Sequence, residues 1–146
     1  KLRLLVVLKF RFQKRPSGDP HALIPVRLIN PSNNFVFDAN ALMDCGASKN
    51  LFPASVAEIL GIKDIADTEW SSQKFGDASG RIMIGYPHKV IIEIGGSHRF
   101  ETMVYFSNDV HRGALLLGIN GFFNHFVIKI DAGRDSIELT PVAFKK

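Results

Sequence analysis

The sequence predicts a single all-β domain, a barrel or a sandwich, and two observations indicate this class. Short runs rich in Val, Ile, Leu and Phe follow one another, and turn residues separate them roughly every ten positions. Twelve of the 146 residues are Phe, which favours a β-rich core. The length corresponds to one domain, residues 1–146, that can bury a core without disulfides.

The first predicted elements are a strand, a polar loop and a pair of strands. Residues 2–12 alternate loosely between apolar and polar side chains, and residues 13–20 (Gln-Lys-Arg-Pro-Ser-Gly-Asp-Pro) are typical of a loop. Strands are predicted at 23–29 and 35–43, because the turn residues Pro-Ser-Asn-Asn at 31–34 separate these two apolar runs.

A short helix is predicted next. Pro53 suits the first helical position, residues 55–60 are compatible with a helix, and Gly61 suits its end. Further on, Gly-Gly at 95–96 between two apolar runs indicates a hairpin. The remaining predicted elements are a strand at 68–75, a small flexible hairpin tip at 76–80, strands at 81–94, 99–106 and 114–117, a helix of one to two turns near 119–124, and strands at 126–131 and 136–139.

Residues 41–48 (Ala-Leu-Met-Asp-Cys-Gly-Ala-Ser) are the most informative segment of the chain. An apolar run leads into Asp44, and Gly46 permits a tight turn directly after it. Apolar flanks followed by a turn are a setting in which the proton affinity of a carboxylate can be tuned. The alternative is that Asp44 is a turn residue that caps its own backbone.

This segment resembles the active-site loop of retropepsin-like aspartic proteases, in which two apolar residues precede Asp, Thr or Ser, Gly and Ala. Residues 115–118 (Leu-Leu-Leu-Gly), followed by 119–123 (Ile-Asn-Gly-Phe-Phe), resemble the second signature of that family. The predicted hairpin tip at 76–80 lies between the two signatures, where the family carries its flap. Residues 117–131 resemble single-domain bacterial members in particular. The resemblance covers residues 21–141, and residues 1–20 precede it as an N-terminal strand and polar loop.

The resemblance implies a closed, mostly antiparallel barrel with one or two short helices, one lobe per chain. It also implies a homodimer that joins two Asp44 carboxylates and acts on an extended peptide or protein substrate. The sequence agrees that one chain supplies one such carboxylate. Asp77 and Asp131 lie in polar surroundings, and residues 131–133 are expected to form an ordinary turn. Two adjacent carboxylates share one proton and activate a water that attacks the peptide carbonyl.

The resemblance further implies roles for the residues around Asp44. Those that support the active loop are Cys45, Gly46 and Gly118, and those expected to contact substrate are Ala47, Ser48, Asp77, Ala78, Ser79, Gly80 and Leu115. Ser48 could instead make a local turn hydrogen bond, and residues 77–80 could form an ordinary exposed hairpin. Ile82 and Ile84, like Leu115, are candidates for a pocket wall or for the core.

Cys45 departs from the family pattern, because a thiol is a weaker hydrogen-bond donor than the usual hydroxyl. Three interpretations stay open: a tolerated small residue in a buried position, a protease with a weak or conditional dimer, and a redox latch between two Cys45 thiols. A second departure concerns Ser48 and Ile119, because many retroviral members carry an Asp–Arg ion pair at these positions. Both partners are absent here, so no single charge is left unpaired.

Several other functions are disfavoured. The net charge is +4, but the basic residues form no block longer than Lys14-Arg15, so we expect no nucleic-acid partner. The five His have no metal-ligand spacing and no Gly-rich loop precedes a helix, so we expect no metal and no cofactor. The apolar run 4–8 is too short for a membrane span or a signal peptide. A single cysteine favours a reducing compartment, so we expect a cytoplasmic protein; the initial Lys1 indicates a fragment.

The sequence therefore predicts a homodimeric aspartic endopeptidase with Asp44 as its catalytic residue. The alternative is a catalytically silent module of the same fold, kept for dimerisation or peptide binding because Cys45 weakens the active loop. A more distant possibility is an unrelated β-barrel binding domain.

Overall fold

The computed structural model describes residues 6–14, 16–111 and 113–142. Its strands are β1 (Leu8–Arg11), β2 (Gln13–Lys14), β3 (Pro20–His21), β4 (Leu23–Ile29), β5 (Val36–Met43), β6 (Asn50–Pro53), β7 (Gln73–Gly76), β8 (Ile82–Ile94), β9 (His98–Ser107), β10 (Leu116–Leu117), β11 (Phe126–Asp131) and β12 (Ser136–Pro141). A short helix, α1 (Ala54–Ile59), follows β6, and 3₁₀ turns cover Phe123–His125 and Ala132–Arg134. None of the helices in these ranges is long and apolar enough to cross a membrane.

The largest sheet closes on itself. Its strands follow the order β4-β5-β10-β6-β9-β8-β7, and β4 also pairs with β8, so six of the seven strands form a ring. Most pairs are antiparallel, but β10 runs parallel to β5, and β6 runs parallel to β9. This arrangement agrees with the closed, mostly antiparallel sheet that the resemblance implied. The parallel β5–β10 pair brings the ends of both signature strands, Met43 and Leu117, side by side.

The hydrophobic core fills the inside of this ring. Phe52 from β6 and Phe106 from β9 are fully buried, with their rings 6.2 Å apart in an edge-to-face arrangement. Helix α1 buries Val56 and Ala57 against the same cluster. A separate three-stranded sheet of order β1-β12-β11 covers one side and adds Ile137 to this core.

Several predicted elements are confirmed and others are shorter. Strand β4 has the predicted bounds, and the Gly-Gly hairpin joins β8 to β9. The predicted strand at 68–75 is reduced to β7, and Thr68, which precedes it, contacts β8 through its hydroxyl, which donates to the Pro87 carbonyl oxygen at 2.6 Å. Of the strand predicted at 2–12, β1 forms over Leu8–Arg11, and residues 2–5 lie outside the described residues.

The remaining differences concern short segments. Strand β6 was not predicted, because its four residues are all buried and show no alternation. Pro53 is the last residue of β6 and the N-cap of α1 rather than its first helical residue. The loop at 13–20 contains the small β2–β3 ribbon. The helix near 119–124 is only the turn Phe123–His125, because Gly121 adopts φ +120°, which a helix does not accept.

Candidate active site

Asp44 is the first residue beyond strand β5. Its N–H donates to the Leu117 carbonyl oxygen at 2.9 Å, so the parallel β5–β10 pairing continues into the loop. Its Oδ1 accepts the Gly46 N–H at 2.9 Å, and its carbonyl oxygen accepts the Ala47 N–H at 3.1 Å. The carboxylate thus caps its own turn, as the sequence allowed, and its half-buried side chain also borders a cleft.

The loop after Asp44 is joined to the second signature by backbone hydrogen bonds. The Ile119 N–H donates to the Ala47 carbonyl oxygen at 2.9 Å, and the Asn120 N–H donates to the Ser48 carbonyl oxygen at 3.0 Å. These bonds hold the two segments together where the side-chain ion pair of many retroviral members is absent. The side chain of Ile119 is 45% exposed and is free to face solvent.

A cleft of about 470 Å³ lies beside Asp44, between the signature loop and the β7–β8 hairpin. Leu51 and Leu116, which pair across β6 and β10, contribute its apolar floor. Phe75 and Met83, which pair across β7 and β8, contribute the opposite wall. The other lining residues are Gly46, Ala47, Ser48, Lys49, Gln73, Lys74, Gly76, Asp77 and Ala78.

The cleft does not include every predicted substrate-contacting residue. Leu115 is only 6% exposed and belongs to the core cluster, whereas Leu116, the next residue, borders the cleft. Ser79 and Gly80 lie beyond its rim, at the tip of the hairpin. Ile82 and Ile84 flank Met83 along β8, so they point to the opposite face of the hairpin, where they are 63% and 39% exposed.

The tip of the β7–β8 hairpin is organised by Asp77. Its Oδ1 accepts hydrogen bonds from the Ser79 hydroxyl at 2.6 Å, the Ser79 N–H at 2.9 Å and the Arg81 N–H at 2.9 Å. The hydrogen bond from the Ser79 side chain, aided by the backbone donors, holds the pKa of Asp77 below its ordinary value. Asp77 is therefore an ionised carboxylate engaged within its own turn.

The base of the same hairpin rests on strand β9 through an aromatic contact. The ring of Phe75 meets Tyr105 edge to face, with centroids 5.3 Å apart. Gly85 makes this possible, because a β-carbon there would lie 2.8 Å from Phe75 Cε2. The ring of Phe75 thus packs the hairpin on the sheet, while Ser79 and Gly80 at its tip lie outside the cleft.

The complete architecture matches that of a solved retropepsin-like aspartic protease from Rickettsia conorii, with a TM-score of 0.65 over 94% of each chain at 20% sequence identity. The chain has the retropepsin-like fold. The EIAV protease, solved with the inhibitor HBY-793, matches 68% of this chain and 82% of its own at 15% identity, with a TM-score of 0.47. Neither a family model nor a curated protein matches the sequence.

Cys45 occupies an unexpected position within this retropepsin-like fold. The interpretation as a small residue in a buried position is wrong for the single chain, because Cys45 is exposed. Cys45 directly follows Asp44, within the turn that the Ala47 N–H closes by donating to the Asp44 carbonyl oxygen. A partner molecule would be needed to cover it.

Four large apolar side chains that border the cleft of this retropepsin-like fold were not predicted as site residues. They are Leu51, Phe75, Met83 and Leu116. The signal for Leu116 was present, because alternate residues of a strand face opposite sides and Leu117 is buried in the core. Leu51 was not identified because the strand to which it belongs, β6, was not predicted. Among the described residues, no group of three or more His, Cys, Asp or Glu side chains could hold a metal ion.

Proposed function

We propose that this protein is an aspartic endopeptidase, active as a homodimer, in which the Asp44 carboxylates of two chains activate one water. The observation that carries the proposal is the position of Asp44. It follows an apolar strand, borders a cleft with an apolar floor, and is tied by its backbone to Leu117 of the second signature. The retropepsin-like fold supports the same conclusion.

A second chain is needed because the two other candidate carboxylates of this chain, Asp77 and Asp131, are already engaged in their own turns. Asp77 borders the same cleft, but its Oδ1 already accepts three hydrogen bonds within the hairpin tip. Asp131 accepts the Arg134 N–H at 3.2 Å in the turn between β11 and β12, as expected for an ordinary turn. Neither is suited to share a proton with Asp44, so the partner carboxylate comes from a second copy.

The reaction requires one proton between two carboxylates. The ionised group takes a proton from the water, which attacks the peptide carbonyl carbon, while the protonated group donates to the carbonyl oxygen. The product of this step is a tetrahedral diol without a covalent bond to the enzyme. We assign the two roles to the pair jointly, because strongly coupled groups titrate together.

The substrate is an extended segment lying between the β7–β8 hairpin and the floor of the cleft. Apolar side chains of the substrate would meet Leu51, Leu116, Phe75 and Met83. We therefore propose that Leu116 replaces Leu115 as a pocket-wall residue. Cys45, Gly46 and Gly118 support the active loop. The residues proposed to contact the substrate main chain or to close over it are Ala47, Ser48, Asp77, Ala78, Ser79 and Gly80.

The test is cleavage of a mixed peptide library by wild type and Asp44→Asn from pH 4 to pH 8, with reductant present. Products from wild type alone support the proposal and reveal the side-chain preference. Because two carboxylates must share one proton, the rate is expected to be highest on the acid side and to fall at higher pH. Equal products from both proteins would point to a contaminating protease and contradict the assignment of Asp44.

The exposed thiol of Cys45 favours a second candidate, a silent module of the same fold. A thiol is a weak donor, so it would hold two active loops together less firmly than a hydroxyl. A sample that is dimeric and binds peptides, but cleaves none of the library in either form, would support this module over the enzyme.

A further inference from the structure

The side chain of Asn50 joins three segments around the active loop. Asn50 begins β6 and is fully buried, with 0% of its surface exposed. Its Nδ2 donates to the carbonyl oxygens of Met103 at 3.1 Å and Gly121 at 3.0 Å, and its Oδ1 accepts the Gly118 N–H at 3.0 Å. Both donors of the amide and its acceptor are therefore used, which makes this a fully satisfied buried polar network.

The peptide unit between Leu117 and Gly118 connects Asn50 to the backbone of Asp44. The N–H that Asn50 binds belongs to the same peptide unit as the Leu117 carbonyl, and that carbonyl oxygen accepts the Asp44 N–H at 2.9 Å. Because a peptide unit is rigid and planar, fixing its N–H also fixes the direction of its carbonyl group. Two hydrogen bonds on one peptide plane thus separate the Asn50 amide from the backbone of Asp44.

Thr102 takes part in this hydrogen-bond network at Gly121 but not at Gly118. Its hydroxyl donates to the Gly121 carbonyl oxygen at 2.7 Å, and its side chain is 8% exposed. The structure gives it no hydrogen bond to Gly118, so it contributes to the same buried cluster without holding the Leu117–Gly118 peptide. Thr102 is therefore a matched control for a role that is only structural.

We propose that Asn50 is a positioning residue for Asp44, a role that rests on the proposed protease function. Without its amide, the buried Gly118 N–H loses its acceptor, and the peptide can rotate toward another one. This rotation redirects the Leu117 carbonyl oxygen and displaces the Asp44 backbone. A displacement of about 1 Å at a catalytic group lowers rates by roughly 100-fold.

The test compares wild type, Asn50→Ser and Thr102→Val in two measurements. The first is the kinetics of cleavage of one peptide from the library screen as a function of pH. For Asn50→Ser, kcat falls about 10- to 100-fold while KM changes less than about 3-fold, because alignment is lost and substrate contacts are kept. Carboxylates that lie farther apart interact less, so the alkaline limb of kcat/KM moves to lower pH by up to about one unit. Thr102→Val keeps the wild-type kcat and pH profile.

The second measurement is hydrogen–deuterium exchange of the backbone amides at 44–48, which needs no activity. Faster exchange there in Asn50→Ser but not in Thr102→Val supports the positioning role, and equal exchange in all three proteins overturns it. A wild-type kcat and pH profile in Asn50→Ser, together with a lowered unfolding temperature, also overturns it. If wild type cleaves nothing, the proposed function fails and the exchange data alone decide. Should Asn50→Ser not fold, Asn50→Leu, which has a similar shape and no acceptor for the Gly118 N–H, takes its place with the same criteria.

Discussion

The backbone of Gly118 lies directly against the backbone of Lys49, so closely that a β-carbon at position 118 would overlap the Lys49 carbonyl oxygen. Both residues are in the two segments that hold Asp44: Lys49 ends the loop that Asp44 begins, and Gly118 follows strand β10. Lys49 also forms an isolated parallel bridge with Asn120. The contact therefore sets the distance between the two signatures, which explains why a glycine is needed there.

Gly118→Ala is expected to destabilise the protein by about 1 to 3 kcal/mol, because backbone atoms must move to admit the methyl group. Denaturant unfolding would measure this loss. Gly76→Ala is the matched control, since a β-carbon at Gly76 meets no atom within 4 Å, and its free energy of unfolding should change by less than about 0.5 kcal/mol. Equal stability of the two variants would contradict the close contact.

The strands of this fold were predictable where two conditions held: alternation over several residues and clear turn residues at both ends. Strand β4 satisfies both, and its predicted bounds are those of the structure. Strand β6 satisfies neither, because its four residues are all buried and its last residue, Pro53, also caps α1. Short buried strands are specified by their neighbours rather than by their own pattern.

The candidate site was predictable to the extent that it depends on local sequence. The turn at Asp44 needs Gly46 two residues later, and that spacing is visible in the chain. The cleft wall depends on which face of a strand each residue occupies, so a shift of one position separates Leu116 from Leu115. The network at Asn50 joins residues 53 to 71 positions apart, and no single-sequence pattern reveals such pairs.

Leu115, which precedes β10, and Leu116, its first residue, should respond differently to truncation. Leu115→Ala removes a core side chain and is expected to cost about 2 to 5 kcal/mol of stability. Leu116→Ala should cost less, because Leu116 is only half-buried, but should raise KM or change the preferred substrate side chain. Unfolding and peptide kinetics on both variants would check this. A change of substrate preference in Leu115→Ala alone would contradict the assignment of the cleft wall.

Gly85→Ala tests how the hairpin rests on the sheet. A β-carbon there would meet Phe75 Cε2 at 2.8 Å and Tyr105 Cβ at 3.0 Å, so the Phe75 ring must leave its position. We expect a stability loss of about 1 to 2 kcal/mol. We also expect KM to rise several-fold, because the displaced ring belongs to the cleft wall.

Phe75→Leu in the Gly85→Ala background provides the control for this explanation. The smaller side chain leaves room for the methyl group, so the two substitutions together should cost less stability than the sum of their separate costs. Strict additivity of the two unfolding free energies would show that the Phe75 ring is not what Gly85 accommodates.

The stability of the protein should fall as the pH drops below about 6.5, the ordinary pKa of His. Burial lowers the pKa of His98, and burial together with the nearby His98 lowers the pKa of His125. His98 packs on Phe126, and His125 stacks on Phe100 with centroids 4.3 Å apart. A lowered pKa means that the unfolded chain binds more protons in this range, so acid favours unfolding.

Unfolding free energies measured from pH 8 to pH 5 would test this dependence. His98→Gln and His125→Gln should each flatten the decline, whereas His111→Gln, at an exposed position, should follow wild type. The lowered pKa values of Asp38 and Asp77 act separately, since their contribution is lost only as the pH falls through values below about 3.8. If the decline is unchanged in the variants of both half-buried histidines, other groups cause it.

Cys45→Thr is expected to tighten the proposed dimer. Cys45 is exposed in the single chain and directly follows Asp44, so it lies where two active loops would meet. A hydroxyl forms stronger hydrogen bonds than a thiol, and one or two such bonds contribute about 0.5 to 1.5 kcal/mol each. Dissociation on dilution, measured by analytical ultracentrifugation with reductant present, would show a lower Kd for Cys45→Thr.

Cys45→Ala controls for the loss of the thiol itself and should bind no more tightly than wild type. If the Kd of Cys45→Thr stays within about 0.5 kcal/mol of wild type, the hydroxyl makes no bond across the dimer, and the weak-loop explanation for a silent module is excluded.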